Sequence, residues 1–230
     1  MISKNQIKHL RSLELKKFRD MHGVFVAEGP KVVNELKGHF ELVELIEGED
    51  ADRVSFLDTP QHLFAVFKKA AETPIPSPHD QLMLALDDIQ NPGNLGTIIR
   101  LADWFGIEHI ICSRGCADIY NPKVVQATMG ALARVHIHET DLTQTITDLQ
   151  AKGHFPIYGT FLDGDNIYQT TLQPHGLIIM GNEGHGISNA VAAKVTHRLL
   201  IPNYPQGRET SESLNVAIAT AIVCSEFRRR

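Results

Sequence analysis

The chain has 230 residues, 43% hydrophobic and 21% charged, which supports a buried core and excludes a disordered chain. Its net charge of −5 speaks against a protein coated with cations for nucleic acid. There is no apolar run of the roughly 18 residues that cross a bilayer, no secretion-signal core in MISKNQIKHL, and no CxxC spacing among Cys112, Cys116 and Cys224. Membrane insertion, a disulfide framework and a zinc site are thereby disfavoured, and a reducing cytoplasm is the expected location.

Residues 2–17 read as one basic helix. Lys4, Lys8, Arg11, Lys16, Lys17, Arg19 and Lys31 face only Glu14, Asp20 and Glu28 within residues 1–31, a local charge of +4 that leaves −9 for the rest. A basic head on an acidic body fits a phosphate-contacting surface, and it also fits a solvated helix face. Val24–Ala27 reads as a strand ending at Glu28-Gly29-Pro30. A helix follows over 30–37, with Val32, Val33 and Leu36 at helical spacing, and strand-like runs cover 42–46 and 63–67. The segment ETPIPSPHDQ, residues 72–81, places prolines at 74, 76 and 78 and ends any helix there. The expected organisation is a small α/β domain over 1–73, a linker over 74–81 and a larger domain over 82–230.

Beyond the linker, short apolar runs recur at 82–86, 109–112, 133–137, 156–161, 176–180 and 198–202, with helical stretches between most of them. Strands alternating with helices predict a parallel sheet covered on both faces, with ligands beyond the carboxyl ends of its strands. His136 and His138 alternate on one of these runs; with no third ligand in view they read as solvent-facing. Cys112 reads as core, and Trp104 as packing or an interface residue.

Three segments fall at the expected strand ends. In LDDIQNPGNLGTIIRLADWFG, residues 86–106, a turn leads into a helix with Asn94 as a good N-cap type. Leu95, Ile98, Ile99, Ala102 and Phe105 form its buried face. Arg100 lies off that face, where the helix dipole does not favour a cation. In IIMGNEGHGIS, residues 178–188, an apolar strand runs into three glycines that admit close approach to backbone amides, around the carboxylate of Glu183. It is neither GxGxxG nor a P-loop. In residues 199–227, a polar loop leads to a helix expected to begin near Ser213, with Asn215 in its first turn.

In this order and spacing, NPGNLGTIIRLAD, MGNEGHGIS and IPN…ESLNVAIA resemble the three motifs of the SpoU (TrmH-like) RNA 2′-O-methyltransferases of the SPOUT superfamily. The resemblance covers residues 82–230 and extends to NPKVVQATMGALARVHI between the first two motifs. HGVFVAEGPKVVNEL and LDTPQHLFAVF resemble the family's small substrate-binding domain.

The resemblance implies an α/β fold whose parallel sheet ends in a C-terminal trefoil knot, preceded by a small α/β substrate-binding domain. It implies a homodimer through the methyltransferase domain and S-adenosylmethionine as methyl donor, with no metal. Donor contacts fall by position on Gly181, Gly186, Ile201, Leu214 and Thr160. Arg100 matches the first-motif arginine, and Asn94, Glu183, Ser213 and Asn215 match the polar positions around it. The acceptor would be ribosomal or transfer RNA, with Lys8, Arg11, Lys16, Lys17, Arg19 and Lys31 as candidate RNA contacts. The loop 203–212 is longer than the family pattern, which leaves the alignment of Gly207 and Arg208 open. Two other readings are an inactive RNA-binding module of the same fold and a small-molecule nucleotide-binding protein.

Overall fold

The computed structural model describes residues 2–205, 208 and 211–229; Gly207 lies outside them. The basic N-terminal stretch forms two helices instead of one, α1 (Lys4–Ser12) and α2 (Lys16–His22). The break follows from burial: Leu10 and Leu13 both point into the core, and a carbonyl cluster at the corner needs a partner. Arg19 is that partner. Its Nη1 donates to the carbonyls of Leu13 at 2.7 Å and Glu14 at 2.6 Å, its Nη2 donates to Asp118 Oδ2, and the residue is 1% exposed. Arg19 is therefore withdrawn from the candidate RNA contacts. Lys8, Arg11, Lys16, Lys17 and Lys31 remain exposed, with Lys16 Nζ 3.3 Å from Asp20.

The strands β1 (Val24–Glu28), β2 (Leu42–Glu47) and β3 (Leu63–Lys68) form an antiparallel sheet in the order β1-β3-β2. Helices α3 (Pro30–Leu36) and α4 (Glu49–Val54) connect them. One face, with Val24, Val26, Phe64 and Val66, closes over Leu10, Leu13 and Val54. The other, with Phe25, Ala27 and Phe67, packs on Val33 and Leu36 and also on Val125 and Leu132 from beyond the linker. Alternating faces that are both apolar require a cover on each side, and here the second part of the chain helps to supply one.

That second part is a six-stranded parallel sheet of β4 (Leu82–Asp87), β5 (His109–Ser113), β6 (His136–Thr140), β7 (Ile157–Asn166), β8 (Gly176–Gly181) and β9 (His197–Leu200). Its order is β6-β5-β4-β8-β7-β9. β4 and β8 are buried along their whole length, as their unbroken apolar runs require. Helices α5 (Pro92–Trp104), α6 (Pro122–Thr128) and α9 (Val216–Arg229) cover one face through Leu95, Ile98, Ile99, Val124, Ala217 and Val223. Helices α7 (Leu142–Lys152) and α8 (Asn189–Ala192) cover the other through Leu142, Ile146, Leu149 and Val191. The strand expected at 133–137 begins three residues later. Ala131–Ala133 instead form a 3-10 turn that sends Leu132 into the N-terminal sheet.

His138 is not solvent-facing: it is 7% exposed, and its Nε2 lies 3.1 Å from His109 Nδ1. His109 also stacks on His136, so three imidazoles share the sheet edge. Burial, then the neighbouring His109 and His136, push His138 down to about 4. The unfolded chain takes up this proton first, so stability is full above the ordinary histidine range and falls as pH drops from about 6.5 toward 4. The shift corresponds to about 3 kcal/mol. Urea denaturation at pH 7.5 and 4.5 should show the wild type losing more stability than His138→Gln, and equal losses in the two would remove His138 as the cause.

Candidate functional site

The sheet order steps from β4 to β8 at its centre, and the carboxyl ends of these two strands meet at Asp87 and Gly181. The residues just past them hold a tightly folded turn. Asp87 Oδ2 accepts from the amide of Ser188 at 2.8 Å. Asp88 adopts φ +60°, which leaves its carbonyl to accept from Asn182 Nδ2 at 2.7 Å. Asn182 Oδ1 in turn accepts from the amides of Gly184 at 2.7 Å and His185 at 3.3 Å. Asn182 and Gly186 exchange backbone hydrogen bonds of 3.0 and 2.9 Å, and Gly186 has φ +72°. A Cβ on Gly181 would lie 2.3 Å from the Gly186 carbonyl carbon and the Ile187 nitrogen. Glycine there is a packing requirement before any ligand is considered.

Across from this turn, α5 is capped by Asn91, whose Oδ1 accepts from the Asn94 amide at 3.1 Å. Asn94 is thus the third helical residue and not the cap, and its side chain is free to act elsewhere. Its Nδ2 donates to Glu183 Oε1 at 2.8 Å, and its Oδ1 accepts from Asn215 Nδ2 at 3.0 Å. Helix α9 begins at Val216, later than expected, because Asn215 does the capping: its Oδ1 accepts from the amides of Ala217 at 3.0 Å and Ile218 at 3.3 Å. One chain of hydrogen bonds therefore joins Glu183, Asn94 and Asn215, and with them the three segments singled out in the sequence.

Beside this chain lies a cavity of about 510 Å³. Thr160, Gly181, Gly186, Ile201 and Leu214 all line it, as do Glu183 and Ser213. Met180 and Leu199 give it apolar walls, and Phe161, with the Arg198 guanidinium 3.5 Å from its ring centre, flanks the mouth. Asn94 and Asn215 do not line it; they connect to it through Glu183. Arg100 does not line it. It is exposed two turns along α5, on the same face as Thr97 and Trp104. Asp87, Asp88 and Asn182 were missed in the sequence reading, although two carboxylates directly after an apolar strand were a usable sign.

A parallel sheet covered on both faces, with a glycine-rich cavity beyond the carboxyl ends of its central strands, defines an α/β ligand-binding protein. The chain belongs to the SpoU rRNA methylase family, whose model matches residues 81–225, and a model of the MRM3-like substrate binding domain matches residues 4–53. A Bacillus subtilis relative, 23S rRNA (guanosine(2553)-2'-O)-methyltransferase RlmP, is 32% identical, over 98% of this chain and 97% of its own. A solved TrmH-family structure from Porphyromonas gingivalis is 42% identical, with a TM-score of 0.89 over 100% of this chain and 99% of that one. The AdoMet-bound rRNA methyltransferase structure from Sinorhizobium meliloti is 27% identical, with a TM-score of 0.88 over 100% and 96%.

Proposed function

We propose that this protein transfers a methyl group from S-adenosylmethionine to a ribose 2′-hydroxyl of RNA. The observation that carries the reading is the hydrogen-bonded chain Glu183–Asn94–Asn215 beside the cavity. An inactive RNA-binding module would have no reason to keep three distant polar residues in register. The cavity suits the donor: apolar walls at Met180, Leu199, Ile201 and Leu214 fit a base, and the amides of the glycine-rich turn fit its polar groups. When bound, S-adenosylmethionine supplies an electrophilic methyl group on a sulfonium.

Gly181, Gly186, Ile201, Leu214 and Thr160 are assigned to donor binding. Glu183 orients the Asn94 amide, Asn215 fixes the start of α9, and Ser213 borders the acceptor side. Arg100 positions the ribose and its neighbouring phosphate. Arginine stays protonated, so it stabilises the developing alkoxide and does not take the proton; an adjacent phosphate oxygen receives it. Exposed Lys8, Arg11, Lys16, Lys17 and Lys31 contact RNA, and the N-terminal unit favours ribosomal over transfer RNA. Transfer of labelled methyl from S-adenosylmethionine to unmodified ribosomal RNA tests the reading. Donor binding without transfer would favour the inactive module.

The same reading includes a C-terminal trefoil knot, since the chain leaves edge strand β9 and returns past the cavity to pack α9 on α5. It also includes a homodimer. Trp104 of α5 is 83% exposed, Ile218 of α9 55%, and Leu214, just before α9, 50%. A second copy covering them would bring Arg100 close to the interface. Trp104→Glu with Ile218→Asp should halve the mass measured by light scattering, and an unchanged mass would place the interface elsewhere. Three free cysteines fit a reducing cytoplasm.

A further inference from the structure

We propose that Arg114 and Lys123, continuing from Lys17, form a cationic track that leads the phosphates of the acceptor strand from the N-terminal unit to the donor cavity. The inference rests on RNA being the acceptor and adds the path it follows. Arg114 directly follows β5, and its neighbour Ser113 is tied to the cavity. Ser113 Oγ donates to Asp88 Oδ1 at 2.8 Å and accepts from the Asp88 amide at 2.9 Å, and the Asp88 carbonyl holds Asn182 of the glycine-rich turn. From β8 past β4 to β5 is two strand spacings, about 10 Å.

The loop that starts at Arg114 then runs to the N-terminal unit. Asp118 accepts from Arg19 of α2 and lies 4.0 Å from Lys16 Nζ, which brings the loop against the helix that carries Lys17. The loop ends where Asn121 caps α6 by accepting from the Lys123 amide at 2.9 Å. Lys123 sits in the turn that packs on α5: the Val124 carbonyl is 2.6 Å from where a Cβ on Gly96 would stand. Lys123 thereby adjoins the contact at Gly96, which lies four residues before Arg100 on α5.

The charges along this route are free to act. Arg114, Lys123, Lys17 and Arg100 are exposed and form no ion pair among the described residues. Among the other cations, Arg53, Lys68, Lys69, Arg134, Arg198 and Arg229 each pair with a carboxylate. Of the acids beside the route, Asp118 is paired with Arg19, and Asp88 is held back toward β5 by the Ser113 hydroxyl. Cations without a carboxylate partner on successive elements of a protein of net charge −5 suit a single polyanionic strand.

The test uses the full chain and a fluorescein-labelled, 30-nucleotide RNA stem–loop of mixed sequence, titrated from 50 to 200 mM salt. Arg114→Ala/Lys123→Ala should weaken binding about tenfold per lost contact at 50 mM and reduce the salt slope by about one per contact. Lys152→Ala, in α7 on the opposite face of the sheet, should change neither. S-adenosylmethionine affinity by calorimetry should match the wild type in both variants. A double variant with wild-type affinity and slope would overturn the track while leaving RNA as acceptor. A wild type that binds the stem–loop with no salt dependence would overturn the RNA reading and the track together.

Discussion

Replacing Arg100 with alanine is expected to lower methyl transfer by about 10²–10³-fold, the usual loss when a single electrostatic stabiliser is removed from a reaction centre. Stability should stay within about 0.5 kcal/mol of wild type, as for other exposed positions with no structural partner. Arg100 is exposed, makes no ion pair among the described residues, and is the ninth of the 13 residues of α5, outside the last turn where the helix dipole would support a cation. The proposed role in methyl transfer gives a reason for a cation there. A ribose hydroxyl must be held about 3 Å from the methyl carbon and in line, and the alkoxide charge that develops needs a fixed cation nearby. S-adenosylmethionine affinity should be unchanged, because Arg100 does not line the cavity. The conservative variant Arg100→Lys should recover part of the rate through charge alone, without the two-pronged grip on a phosphate. Single-turnover rates with saturating donor decide the matter: a wild-type rate for Arg100→Ala would remove the residue from the mechanism.

Much of the larger unit was legible because its strands are unbroken apolar runs. Leu82–Leu86 and Gly176–Met180 carry no polar residue, a pattern that only a strand covered on both faces sustains. The cavity residues were legible for a different reason: glycine, asparagine and glutamate cluster just past apolar strands, in the order and spacing of the family's motifs. What could not be read locally depends on partners far along the chain. Residues 133–135 looked like strand, yet Leu132 is claimed by Phe25 and Phe67 of the other sheet, which draws Ala131–Ala133 into a turn and delays the strand to His136. Asn94 looked like a cap because Asn91 is just as good a cap and sequence does not rank them. The side chain released by that exchange reaches residues 89 and 121 positions away. His138 looked exposed because alternation does not reveal that His109 lies across it.

Arg19 is the strongest case of a long-range partner, and its loss should be felt in stability instead of binding. Arg19→Ala is expected to cost about 3–5 kcal/mol, the penalty for breaking a buried ion pair from one side. The side chain is 1% exposed and ties the corner between α1 and α2 to Asp118, 99 residues away. Removing it strands the Leu13 and Glu14 carbonyls and leaves Asp118, itself mostly shielded, without its nearest cation. Lysine should recover little, because one ammonium on a flexible stem does not reproduce a fork aimed at two carbonyls and a carboxylate. Lys16→Ala gives the contrast. Its pairs with Asp20 and Asp118 are more than half exposed on the lysine side, so less than about 1 kcal/mol is expected. Urea denaturation of the single and double variants separates these contributions. Coupling between Arg19→Ala and Asp118→Ala should be well above about 1 kcal/mol, and additive losses would show that the two residues stabilise the fold independently. If the coupling is found, the basic N-terminal stretch divides by geometry: Arg19 joins the two sheets, and the lysines and arginine left on its surface are free to meet RNA.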